Sequence, residues 1–366
     1  MPAPIESKAL FQAQWPERHD PALKSIVRKV GNIFWNIISV MIFPIGLIRL
    51  AGHYIRNITF RCIVPGIPSI DAPLRSYWDL TKIIARFFCN PENFKADLTN
   101  WGKTELIRTN GESVQFTTPD GAQIDGAFIP GKHKNKVILF VGGNAEQWET
   151  LNWHHHLKPI GASLLFLNPR GVGGSTGTRY GEGYALDTYA AAEYLIHKKG
   201  IDPENILFAG FSMGAANTTR GAALIQEKYP DKKIQALNIN SFSSLENEIY
   251  EVLGTFGYLG FLASKLLGLN KEVKKAWDTL KGEKVIFHNP KDPVIPYLAQ
   301  LATAVKQEPV GTSHIVELPS SLNHVPFTNE QDEKTFHSVM NHLLETHTSW
   351  FDRNPLIGKE ITQVAL

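Results

Sequence analysis

The chain has 366 residues, 43% hydrophobic and 20% charged, enough apolar material to bury a sizeable core and too much for a disordered polymer. Lys plus Arg (37) nearly balances Asp plus Glu (35), and a net charge of +2 gives no ground for nucleic acid as a partner. The two cysteines, Cys62 and Cys89, lack CxxC spacing, which excludes a disulfide framework and a zinc ribbon.

Residues 1–110 read as a mostly helical, basic–apolar extension. Its start is polar, broken by Pro2, Pro4, Pro16 and Pro21, and lacks the pattern of a signal peptide. A cytoplasmic or peripheral-membrane location, or export by a route that needs no signal peptide, is the expectation. The apolar run Ile33–Ile48 would span about 24 Å as a helix, short of the ~30 Å of a bilayer core. Between Arg18 and Arg61 seven Lys/Arg face one acidic residue, Asp20. Apolar surface flanked by cations is what an interfacial anchor on an anionic membrane needs. The same segment also reads as a helix packed on the rest of the chain.

After residue 110 short β-branched runs alternate with helical stretches. Ser113–Thr117 and Ala122–Ile129 flank Pro119-Asp120-Gly121 and read as a hairpin. Strands follow at Lys136–Val141, Ser163–Leu167, Ile206–Gly210, Ile234–Ile239, Lys284–Phe287 and His314–Glu317. Helices are expected at Leu151–Leu157, Asp187–Lys199, Ala215–Lys228 and Asp332–His347. The alternation predicts an α/β fold, a doubly wound and mostly parallel sheet over residues 111–348. A helical cap insert is expected at about 243–281, and 349–366 read as a tail.

Gly-x-Ser-x-Gly occurs twice, at 173–177 and 210–214, and context separates the two. A nucleophile elbow needs a strand running straight into a helix. Around Ser212 a strand-like ILFAG leads into a helical AANTTRGAALIQEK, whereas Ser175 follows six loop residues and precedes no helix. Ser212 is therefore the candidate nucleophile. A serine needs a base, and the base an orienting carboxylate. Asp292 follows the strand at 284–287 and His324 follows the strand at 314–317, in the chain order such sites use. Glu317 is the rival acid. His288 and His314 belong to strand ends. The oxyanion donors are the N–H of Met213, after the nucleophile, and one within Gly142-Gly143-Asn144-Ala145. No phosphate loop or metal-ligand spacing is present; His154-His155-His156 point different ways on a helix, so no cofactor or metal is expected.

These residues resemble the α/β-hydrolase superfamily of serine hydrolases, nearest its monoacylglycerol-lipase-like and esterase branches. The likeness rests on VILFVGGNAE (137–146), LLFLNPRGVGGSTG (164–177), GFSMG (210–214), KDPVIP (291–296) and His324, and covers residues 112–347. It implies that Asn144 supplies the second oxyanion N–H. The chain departs from the family at Gly142, where a His is usual, and at Asn168, where an Asp is usual. A helical extension before such a domain also resembles hydrolase-like secreted effectors of intracellular bacteria. The expectation is a serine hydrolase of carboxylic esters with a lipid substrate under an apolar cap. Its rivals are a thioesterase or peptidase, and an idle hydrolase fold that binds a membrane or protein.

Overall fold

The computed structural model describes residues 10–14, 106, 108–144, 146–150, 153–177, 181–253, 272–308, 313–318, 324, 326, 330–345 and 361–364. The basic segment 18–61, its apolar run and the middle of the cap insert, 254–271, lie outside them.

Among the described residues ten strands form one sheet: β1 Leu10–Gln12, β2 Glu112–Thr117, β3 Gln123–Ile129, β4 His133–Val141, β5 Ala162–Leu167, β6 Ile206–Phe211, β7 Gln235–Ile239, β8 Lys284–His288, β9 Ser313–Glu317 and β10 Ile361–Val364. Their spatial order is β1-β2-β3-β5-β4-β6-β7-β8-β9-β10. Six adjacent strands, β5-β4-β6-β7-β8-β9, run parallel, as the βαβ alternation predicts. The hairpin is also present, with β2 antiparallel to β3 and Gly121 at φ 88° in its turn. Two short strands were not expected. β1 joins β2 in parallel, and β10 pairs antiparallel with β9, so part of the presumed tail extends the sheet.

Side-chain alternation along the strands divides the interior into two cores. Val137, Leu139, Ile206 and Phe208 face the helices Gly181–Lys199 (α2), Met213–Lys228 (α3), Val273–Thr279 (α5) and Leu301–Gln307 (α6). Ile138, Phe140, Leu207 and Phe211 face the other layer, the short helix His154–Leu157 (α1) and the long helix Glu330–Glu345 (α7). Each fully buried Phe or Leu contributes about 1.5–3 kcal/mol relative to exposure. The insert's described ends are helical, Leu245–Leu253 (α4) and α5. Helix α2 begins six residues before its expected start because Gly181 and Gly183 mask the helical pattern of the first turn. Among the described residues no helix is long and apolar enough to cross a membrane.

A buried cation ties the hairpin to this frame. Arg170, 1% exposed, meets Asp120 of the β2–β3 turn at 2.8 Å and Asp187 of α2 at 2.8 Å. Burial opposes its charge, but Asp187 and Asp120 outweigh it and hold the guanidinium protonated beyond its ordinary range. Arg170→Met strands two buried carboxylates, so we expect a loss of about 3–5 kcal/mol in urea unfolding. Adding Asp120→Asn and Asp187→Asn to that variant should recover most of it.

Lys284 opens β8 at 2% exposure, its ammonium donating to Trp277 O at 3.1 Å. Burial lowers its pKa from 10.5 to about 8. Between those values the unfolded chain binds more protons than the folded one, so this residue makes stability rise with pH across that window. The gain is about 3 kcal/mol. Lys284→Met should remove the rise, read as the difference in unfolding free energy between wild type and variant at neutral and at alkaline pH.

Candidate active site

The elbow is set by contiguous residues. Strand β6 delivers the chain directly to Ser212, and α3 begins at Met213. Ser212 has φ 53° and ψ −124°, a conformation costly for a side-chain-bearing residue and characteristic of strained functional turns. Its N–H donates to Ile239 O of β7 at 2.8 Å. Although it occupies the N-cap of α3, its hydroxyl makes no capping bond. A merely structural capping serine would spend its oxygen there; this one leaves it available. Gly214 lets the helix meet β4, since a Cβ there would stand 2.1 Å from Gly142 O and 2.2 Å from Val141 O.

Asp292 and His324 come together. Asp292 Oδ2 lies 2.7 Å from His324 Nδ1, while Asp292 Oδ1 accepts from the N–H groups of Val294 at 2.8 Å and Ile295 at 3.0 Å. The Asp292 side chain is 1% exposed and that of His324 13%. An ionised carboxylate only accepts, so Nδ1 carries the ring proton and Nε2 keeps its lone pair for a base's work. The His324 ring packs against Phe211, with centroids 4.8 Å apart, and Phe211 immediately precedes Ser212. The imidazole therefore stands beside the elbow.

The rivals are engaged elsewhere. Glu317 pairs with Lys306 at 2.6 Å, whose hydrogen bond holds the carboxyl below its ordinary range, and with His288 at 3.5 Å. His288 is buried, its Nδ1 2.9 Å from Gln300 Oε1, and burial lowers its pKa. His314 is buried within β9. Ser175 is also buried: its hydroxyl donates to Asn168 O at 2.7 Å and accepts from the Asp125 N–H at 2.9 Å. It braces a loop. His156 pairs with Glu333 at 2.9 Å, joining α1 to α7.

The Gly142–Asn144 loop follows β4. Met213 is half-buried at the first turn of α3, where helix N–H groups lack internal partners. Asn144 is exposed in the turn beyond Gly143. A Cβ on Gly143 would lie 3.5 Å from Ser212 Cβ, so this loop borders Ser212. Its brace is Glu146, which sequence reasoning passed over. The Glu146 carboxylate accepts from Gly143 N–H at 2.5 Å and from Trp153 Nε1–H at 3.1 Å.

Glu146 accounts for the first departure. A Cβ on Gly142 would meet Glu146 Oε2 at 2.7 Å, so a histidine there would displace the carboxylate. The second departure has a partner too. Asn168 accepts from Trp148 N–H at 2.8 Å and donates to Glu149 Oε2 at 2.9 Å. An aspartate would instead face that carboxylate.

No protein-family model matches the chain. The chain is 31% identical over 163 residues to "Uncharacterized protein YfhR" of Salmonella typhi, covering 40% of this chain and 55% of that protein. It is 34% identical over 130 residues to a "Multifunctional-autoprocessing repeats-in-toxin" of Vibrio vulnificus, 31% of this chain and 2% of the toxin. The chain thus spans about half the length of YfhR, or far less of the toxin. Among solved structures, an acetyl xylan esterase from Paenibacillus sp. R4 superposes with a TM-score of 0.50 at 15% identity, over 63% of this chain and 83% of the esterase. That likeness is one of architecture. The chain carries the α/β-hydrolase fold, with Ser212 at its elbow and the Asp292–His324 pair beside it.

Proposed function

We propose that this protein is a serine hydrolase of carboxylic esters that works through an acyl-enzyme on Ser212. The observation that carries the reading is the uncapped, strained Ser212 beside a histidine whose Nδ1 is taken by a buried carboxylate. In this mechanism Ser212 Oγ attacks the acyl carbonyl and His324 Nε2 accepts its proton. The tetrahedral oxyanion is held by the N–H groups of Met213 and Asn144. His324 then returns the proton to the leaving alkoxide, and the ester C–O bond breaks. Water repeats the sequence and releases the carboxylic acid, regenerating Ser212. Asp292 keeps His324 in the correct tautomer and stabilises its cationic form.

A lipid is the substrate this reading favours. The insert carries YEVLGTFGYLGFLASKLLGL at 250–269, and an apolar cap suits acyl chains better than sugars or charged peptides. The basic–apolar segment 18–61 supports access to substrate at an anionic membrane surface. Against the idle-fold reading stands the full set of Ser212, Asp292 and His324, the last two hydrogen-bonded to each other.

The test is covalent labelling with a fluorophosphonate probe, followed by tryptic mapping. Ser212 falls in peptide 200–220 and Ser175 in peptide 171–179, so the modified serine is identified directly. Label on 200–220, with turnover of medium-chain esters ahead of matched thioesters and amides, is expected. A folded protein that takes no label would sink the proposal.

A further inference from the structure

We infer that Asn240 is the positioning residue that aligns the candidate base with its acid. Asn240 directly follows β7, the strand between β6, which leads to Ser212, and β8, which leads to Asp292, and is 2% exposed. Its side chain bridges two loops. Nδ2 donates to the main-chain oxygen of His324 at 2.6 Å, and Oδ1 accepts from the N–H of Asn289 at 2.8 Å. Asn289 begins the turn that carries Asp292, whose own N–H donates to Asn289 O at 3.1 Å. The Asn240 N–H donates to Phe287 O of β8 at 2.9 Å, and the preceding residue, Ile239, accepts from Ser212 N–H. One residue and its neighbour therefore touch all three loops on which Ser212, Asp292 and His324 stand.

The backbone supports the assignment. Asn240 has φ 46°, a region that residues with side chains rarely adopt and that asparagine tolerates better than most. Glycine would take that φ without strain, yet could make neither side-chain bond. The requirement is for an amide: one donor toward His324 O and one acceptor toward Asn289 N–H, both buried. Serine and threonine are too short to reach both loops, and aspartate supplies no donor when ionised. Asn240 acts through His324 and Asp292, which this inference takes as base and orienting acid.

The test compares Asn240→Gly and Asn240→Asp with wild type. Glycine removes the bridge while relieving the backbone; aspartate keeps the shape and the acceptor but not the donor. The first readout is the low-field proton resonance of His324 Nδ1–H shared with Asp292, assigned through its absence in His324→Gln. It requires no turnover, so it stands whether or not the protein proves to be an esterase. The resonance should be present in wild type and lost or exchange-broadened in both variants, with Asn240→Gly still folded and unfolding cooperatively at a somewhat lower temperature, because two buried bonds are lost. The second readout is kinetic: the labelling rate and kcat should fall about ten- to a hundredfold with KM little altered. If one variant fails to fold, the other carries the comparison. Retention of both the resonance and the labelling rate in a folded variant would overturn the inference, as would a wild type with no such resonance.

Discussion

Ser212→Ala should lower kcat for ester hydrolysis by about 10⁶-fold, the size of effect seen when a triad serine is removed. The protein should remain folded, because the hydroxyl makes no capping bond that alanine would forfeit. Alanine shares the serine's difficulty at φ 53°, so any stability change should be small. Ser175→Ala provides the contrast, since both serines sit in the same five-residue pattern. Ser175 uses its hydroxyl to join Asn168 O and Asp125 N–H, so its loss should cost about 1–3 kcal/mol of stability and leave the rate per folded molecule near wild type. Steady-state rates and urea unfolding on the two variants separate the roles. Equal loss of turnover in both would refute the assignment of Ser212.

Asp292→Asn should lower kcat by about 10⁴-fold with little change in stability. The asparagine carbonyl can still accept from Val294 and Ile295 N–H, and that choice turns its amide nitrogen toward His324 Nδ1. A donor there forces the ring proton onto Nε2, the atom that must accept the serine proton. The base is then blocked by its tautomer while the geometry is kept. Glu317→Gln should leave kcat within a few-fold of wild type, because that carboxylate is occupied by Lys306 and His288. Measured kcat values on the pair decide between the two acids: a larger loss in Glu317→Gln would reverse their roles.

Some of this site was legible because its determinants are neighbours in the chain. Gly210, Ser212 and Gly214 lie within five residues, and the need for a strand–helix junction with small flanking residues is written in that stretch. The hairpin at Pro119-Asp120-Gly121 is local in the same way. Other features depend on residues far apart. The bond from Asn240 to His324 spans 84 positions, and that from Asp292 to His324 spans 32. No periodicity announces such a pair. Glu146 carries no such signal although it lies three residues from Gly143, because a glutamate in a polar turn has the pattern of any solvated residue, and the Trp153 Nε1–H that meets the same oxygen is brought there by the fold.

Legible in the sequence alone were the alternation of buried strands and helices, the parallel centre of the sheet and the strand–helix turn at Ser212, all properties of short windows governed by backbone sterics and apolar periodicity. Tertiary structure put Asp292 rather than Glu317 against His324, buried Ser175 as a brace, and placed β1 and β10 on the sheet edges. It also explained Gly142 and Asn168 through Glu146 and Glu149. The physical reason is common to these cases. A polar group's role depends on which donor or acceptor it meets once water is excluded, and those partners come from other strands and loops.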